Sequence, residues 1–270
     1  MVKKMIRKIV AIALVSLILI GCGSEPSDPD KIVVGASIVP HAEILEEARD
    51  ALKEKGYELE IVEYTDYVQP NLALDAKDLD ANYFQHGPYL EFFNEEHNLT
   101  NVSVGKIHYE PFGIYRGSKS ELSELESGDK ISVPNDTTNE ARALALLEQE
   151  GLITLNEEAG LNATKLDIIE NPLNLDIIEL DAAQLAKSID DVAFSVINGN
   201  FALQDGLTAD DVVAFESKDS VGAETFANVV AVRESDKDSE KTKALIDVLQ
   251  TDAIREFIAE KYKGAVEASY

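Results

Sequence analysis

Tyr67, Phe84, His86, Asn139, Arg142, Asn198 and Asn228 are the residues of this sequence whose types and positions could act together on a small molecule. Tyr67 follows the second strand-like run, and Tyr83-Phe84-Gln85-His86 closes the third with aromatic rings beside an imidazole. Asn139 falls in the first turn of a helix-like run, with Arg142 one turn further in. Backbone N–H groups, an amide and a guanidinium can converge there on one carboxylate. Asn198 and Asn228 sit at or near strand ends, where an amide oxygen accepts from an ammonium group without adding net charge. Acceptors for a cation and donors for an anion together describe a site for a zwitterion. Each residue alone has a plainer explanation: rings after strands usually pack in the core, Asn198-Gly199-Asn200 is a turn signal, Asn139 can decorate a helix cap, and Arg142 can be solvated. Only the combination carries the reading.

Conventional catalytic signatures are missing. There is no G-x-S-x-G, no glycine-rich dinucleotide or phosphate loop and no H-E-x-x-H. Ser127 and Lys130 fit S-x-x-K but flank Gly128-Asp129 in a turn and lack companion motifs, so the spacing is coincidental. His41, His86, His97 and His108 are too scattered along the chain to propose a zinc site. No cofactor or metal is expected.

The positioning elements alternate as in an α/β protein. Strand-like runs cover Lys31–Ala36, Tyr57–Tyr64, Leu79–Phe84, Val102–Ile107, Phe112–Arg116, Lys130–Val133, Asp176–Leu180, Val192–Ile197 and Phe226–Arg233. Helical periodicity appears from Ile44 to Leu52, in Asn71–Ala76, and after Pro88, which suits a first turn because its missing N–H costs nothing there. Thr137 with Glu140 predicts a capping box for a helix over Thr138–Gln149. Further helices are expected over Ala182–Ser188, Lys237–Gln250 and Asp252–Tyr262.

The N-terminus reads as an export signal. Lys3, Lys4, Arg7 and Lys8 precede an almost unbroken apolar run, Ile9 to Ile20, which is too short to span a bilayer. Leu19-Ile20-Gly21-Cys22 resembles a lipobox, in which the cysteine takes a lipid and becomes the new N-terminus. Cys22 is the only cysteine, so no disulfide is possible within the chain. The expected organisation is a signal peptide over 1–21, a lipid-anchored tether over 22–30, a discontinuous first lobe over 31–113 and 226–270, and a second lobe over 114–225. With 24 basic against 51 acidic residues the net charge is −27, and removing a leader with four basic and no acidic side chains makes it more negative still. Such a surface repels nucleic acid.

Together the motifs resemble a known family. Val39-Pro40-His41-Ala42-Glu43-Ile44-Leu45, Asp66 to Asn71, Leu79 to His86, Pro134 to Asp136 with Thr138-Asn139-Glu140, Val196 to Asn200, and Ala227 to Arg233 are similar to segments of the methionine-binding lipoproteins of ABC importers, the MetQ/NlpA family. The resemblance spans Lys31 to Val266. It implies a type II periplasmic-binding-protein fold, two α/β lobes joined by a two-strand hinge, with one amino acid between them. It further implies that Arg142 holds the ligand carboxylate, that Asn198 and Asn228 hold its polar end, and that Tyr67, Phe84, His86 and Tyr89 enclose a thioether. The implied partners are L-methionine or a related apolar amino acid or methionyl dipeptide, a permease with a cytoplasmic ATPase, and the outer face of the bacterial cell membrane through the Cys22 lipid. Gly87, Ala141 and Phe226 stand where the family commonly has a larger residue, a glycine and a tyrosine.

Overall fold

Two sheets organise the computed structural model, which describes residues 28–217 and 225–270. The expected signal peptide, Cys22 and most of the expected tether lie outside the described residues. The first sheet has the order β13-β4-β12-β3-β1-β2, built from β1 (Lys31–Ser37), β2 (Glu58–Tyr64), β3 (Ala81–His86), β4 (Asn101–Tyr109), β12 (Asn228–Arg233) and β13 (Glu267–Ala268). The second has the order β11-β5-β10-β6-β9, from β5 (Gly113–Arg116), β6 (Lys130–Pro134), β9 (Asp176–Leu180), β10 (Phe194–Ile197) and β11 (Val212–Phe215). A separate ribbon pairs β7 (Thr154–Leu155) with β8 (Ile168–Glu170).

Strand direction places chemistry at one edge of each sheet. β1 and β3 are parallel, while β12 runs antiparallel to both β3 and β4. The carboxyl ends of β3 and β4 therefore meet the start of β12, and Asn228 lies opposite His86 on one side and His108 on the other. In the second sheet β6, β9 and β10 are parallel, and β5 returns antiparallel so that Gly113 faces Ile197. Asn198, after β10, and the helix after β6 thus emerge at the carboxyl edge, the usual binding edge of an open α/β sheet.

Packing follows the sequence periodicities. Leu45 and Leu52 of the Glu43–Glu54 helix, Leu249 of Glu240–Leu249 and Ile258 of Asp252–Tyr262 are buried against Ile32 and Val230 of the first sheet. Leu144 and Leu147 of the Thr137–Gln149 helix are buried with Ile131 and Phe194 of the second. None of the helices among the described residues is long and apolar enough to cross a membrane.

Several local expectations shift. The Thr137–Gln149 helix is capped by Asp136, whose carboxylate accepts from Asn139 N at 3.1 Å. The Thr137–Glu140 capping box does not form, because Glu140 instead accepts from the Lys165 backbone N–H at 2.8 Å. β6 includes Pro134, which stands opposite Leu180 at the last position of the strand, where a missing N–H is tolerated. The helix expected to reach Ser188 is α-helical only from Ala182 to Leu185 and tightens to 3-10 geometry over Ala186–Asp191. Ser188 bonds back to the carbonyls of Gln184 and Leu185, the local competition expected of a serine. Asn198-Gly199-Asn200 opens a helix, Gly199–Gln204, rather than a plain turn.

Candidate functional site

Tyr67, Phe84, His86, Tyr89, Asn139, Arg142, Asn198 and Asn228 all line one cavity of about 360 Å³, counting its open mouth. The first sheet contributes Phe84 and His86 from β3 and Asn228 from β12, with Tyr67 from the loop after β2 and Tyr89 from the helix after β3. Asn139 and Arg142 come from the helix after β6, and Asn198 from the end of β10.

One wall is aromatic. The Tyr67 ring centroid lies 5.9 Å from Phe84, 5.7 Å from Tyr89 and 5.0 Å from Phe201. Its hydroxyl donates to Asn200 Oδ1 at 2.6 Å, and the Tyr89 hydroxyl donates to the Tyr67 carbonyl at 2.9 Å. Both phenols thus satisfy their polar ends within the protein. Behind this wall Asn71, Asn82 and Gln85 form a closed amide network with contacts of 2.8 to 2.9 Å, so buried polar groups there are paired, as they must be.

His86 is a fixed neutral imidazole. Its Nδ1 accepts from Tyr89 N at 3.1 Å, so Nε2 carries the proton and donates to Asn139 Oδ1 at 3.1 Å. Burial, with the nearby Arg142 charge, pushes its pKa down to about 3. Asn139 Oδ1 also accepts from Asn198 Nδ2 at 2.9 Å, while its own Nδ2 donates to Asp136. Asn139 therefore ties β3, the helix cap and the end of β10 together instead of presenting its amide freely beside Arg142. Asn198 Oδ1 and Asn200 Nδ2 are buried without a protein partner, an acceptor and a donor still open beside the cavity. Each such orphan costs roughly 1–3 kcal/mol unless something pairs with it.

The charged groups sit opposite in sign. Arg142, only 6% exposed, has its guanidinium carbon 4.8 Å from the Phe112 ring centroid and 4.5 Å from that of Phe226. Its Nη2 donates to the Glu110 carbonyl at 2.9 Å and to Glu216 Oε2 at 2.6 Å. Glu110 is the principal residue that sequence reasoning missed. It is buried, lines the cavity, and accepts from His108 Nε2 at 2.7 Å, while the Tyr83 hydroxyl donates to His108 Nδ1. Burial raises the Glu110 pKa, opposed by His41 and Arg142. A Cβ on Gly199 would lie 2.7 Å from Glu110 Oε2, so only glycine lets the start of the Gly199–Gln204 helix and the carboxylate approach this closely. The signal in sequence was an acid in an otherwise apolar and aromatic run, HYEPFGIY.

His41 and His108, scattered in sequence, come together with Glu110, the three ligand atoms lying within 4.8 Å of one another. The reason is topological: the end of β1 and the end of β4 share the same sheet edge. His41 Nε2 lies 3.0 Å from the amide oxygen of Asn228 and His108 Nε2 lies 2.7 Å from the Glu110 carboxylate, so both are engaged in hydrogen bonds, while His41 Nδ1 is buried without a partner. Burial holds His41 at a pKa of about 4 and His108 at about 3. The cluster is a hydrogen-bond network beneath the cavity. His97, the fourth histidine, is partly exposed beside Glu96 and takes no part in it.

The chain is similar to known proteins over most of its length. A lipoprotein structure from Ruminococcus gnavus is 53% identical, with a TM-score of 0.88 over 89% of this chain and 100% of that one. A nutrient-binding protein from Burkholderia cenocepacia, solved bound to methionine, is 43% identical, with a TM-score of 0.84 over 88% of this chain and 100% of its own. The D-methionine-binding lipoprotein MetQ of Salmonella typhimurium is 42% identical over 253 residues, 92% of each chain. The two-lobed α/β fold of periplasmic-binding type is thereby shared, and since the model of the NlpA lipoproteins matches residues 32–269, the chain belongs to the NlpA lipoprotein family.

Proposed function

We propose that this protein is a receptor that captures L-methionine or a close relative and hands it, unchanged, to a membrane permease driven by a cytoplasmic ATPase. The observation that carries the reading is the presence of a buried guanidinium, Arg142, and a separate buried carboxylate, Glu110, in the lining of one cavity that also has an aromatic wall. A zwitterionic head meets a donor and acceptors there, and an apolar side chain meets rings. Asn198 Oδ1 supplies a further acceptor for the ammonium group, and Asn228 flanks it. The family membership and the methionine-bound relative favour the thioether over other apolar side chains.

The same reading covers anchoring and motion. A lipid on Cys22 would hold the body at the outer face of the cell membrane through the tether. Residues 31–113 with 226–270 would move as one lobe against 114–225, hinged at the crossovers near Phe112 to Arg116 and just before Ala227. Ligand contacts come from both sheets, so binding favours the closed arrangement by its differential affinity. The test is to unfold the protein in denaturant, wash, refold and titrate calorimetrically with L-methionine, while mass spectrometry identifies what copurified with the untreated protein. Saturable heat with methionine and recovery of an amino acid support the reading. Heat with another apolar amino acid or a methionyl dipeptide, but none with methionine, would reassign the side-chain pocket; no heat with any amino acid would refute the receptor.

A further inference from the structure

Arg142 faces a buried carboxylate, Glu110, and a partly buried one, Glu216, and which one it pairs with decides whether the cavity can hold a zwitterion. Three of its four hydrogen bonds go to Glu216: Nε to Oε1 at 3.2 Å and to Oε2 at 3.1 Å, and Nη2 to Oε2 at 2.6 Å. The fourth runs from Nη2 to the backbone carbonyl of Glu110, so the guanidinium already lies against the residue whose carboxylate lines the cavity. These bonds use the Nε–Nη2 edge of the fork and leave Nη1 outside them.

Glu216 is itself firmly held. It follows β11, whose Phe215 stands opposite Gly113, and its backbone N–H donates to the Phe112 carbonyl at 2.8 Å. Its carboxylate also accepts from the Tyr109 hydroxyl at 2.5 Å and from Phe112 N at 3.4 Å, and its side chain is only 11% exposed. Tyr109 closes β4 of the first sheet, so Glu216 joins the two sheets at their crossover while gripping Arg142.

We propose that Glu216 is a positioning residue: it occupies the Nε–Nη2 edge of the Arg142 guanidinium, leaves Nη1 for a ligand carboxylate, and prevents Arg142 from pairing with the Glu110 carboxylate, whose Oε2 then remains for the ligand ammonium while Oε1 accepts from His108. This rests on the amino-acid reading of the cavity. A guanidinium is a rigid planar fork, and holding one edge fixes where the other points. Glu110 already accepts from Nη2 through its carbonyl and its carboxylate feels the Arg142 charge, so without Glu216 an Arg142–Glu110 pair would quench both halves of the zwitterion receptor at once.

The test compares L-methionine with L-methioninamide, which keeps the ammonium and thioether but has no carboxylate, on the parent, Glu216→Gln, Glu216→Ala and Arg142→Met proteins. The parent should prefer methionine by about 30-fold or more, the size of one lost charge-pair contact. In Glu216→Gln, nearly isosteric and uncharged, that preference should shrink by about tenfold or more, with no further change when Glu216→Gln is added to Arg142→Met. A preference within about twofold of the parent, even with weaker binding overall, would make Glu216 merely structural and overturn the proposal. A Gln variant too unstable to titrate would overturn it equally, since the residue would then serve the fold. If the parent binds neither compound, the receptor reading itself has failed; if the parent discriminates and the Glu216 variants still do, only this inference falls.

Discussion

Replacing Arg142 with Met removes the charge while leaving an unbranched side chain between the Phe112 and Phe226 rings, so it isolates electrostatics from packing. Two effects follow, on binding and on stability. Losing one member of a buried charge contact with the ligand costs about 2–5 kcal/mol, or roughly 30-fold to several-thousand-fold in affinity for L-methionine. The stability effect runs through Glu216, which loses its counter-ion in a site 11% exposed. Breaking a buried pair typically costs about 3–5 kcal/mol; because the Tyr109 hydroxyl and Phe112 N–H remain, the lower end, about 3 kcal/mol at neutral pH, is expected. The pH dependence fixes the cause. In the parent, burial pushes the Glu216 pKa up, but the Arg142 charge and hydrogen bonds outweigh burial and hold it below the usual carboxylate value. A depressed carboxylate contributes stability above its unfolded pKa and loses it as pH falls through the folded one. In the variant only burial and the two neutral donors remain, so ionised Glu216 becomes a cost that protonation relieves. The gap between the two proteins should therefore be widest near neutral pH and close as pH falls through the carboxylate range. Urea melts at several pH values between acid and neutral would show it. An equal stability loss at every pH, or methionine affinity within about twofold of the parent, would refute the reasoning.

The three buried histidines should stay neutral in the folded protein. Burial sets the folded pKa values of His41, His86 and His108 at about 4, 3 and 3, so between there and the ordinary value near 6.5 these three contribute stability that rises with pH, while the raised carboxyls of Glu110, Asp136 and Glu140 work in the opposite sense; imidazole NMR signals of these histidines titrating near 6.5 in the folded protein would contradict the buried network. Gly199→Ala places a Cβ 2.9 Å from Glu110 Cβ and 2.7 Å from its Oε2, so the carboxylate must move; methionine binding should weaken by about tenfold, and unchanged binding would mean Glu110 does not touch the ligand. Cys22→Ser should release a soluble, binding-competent protein from detergent-extractable membranes, and retention of the variant there would refute the lipid anchor.

The difference between what could and could not be read in the sequence follows the range of the interactions involved. Strands such as Asp176–Leu180 and helices such as Asp252–Tyr262 match their expected limits because hydrophobic period and flanking caps are local properties. The aromatic and amide residues of the cavity were legible because each lies at the end of such an element, and an α/β sheet gathers those ends at one edge. Glu110 was not legible: it lies between two strands, and its meaning depends on His108, two residues away on β4, and on Gly199, nearly ninety residues on. Glu216 was harder still. β11 is a short strand of half-buried residues without clear alternation, so nothing marked Val212–Phe215 as the edge strand that delivers a carboxylate to Arg142 across 74 residues of chain. The helix pattern located Arg142 itself, but a helix fixes only where a guanidinium starts, and the partner on the far side of its fork fixes where it points. In a receptor for a zwitterion that pointing matters most. On the proposed zwitterion reading, Arg142 and Glu110 grip the two ends of one amino acid without satisfying each other, in keeping with each having a partner of its own, Glu216 for one and His108 for the other.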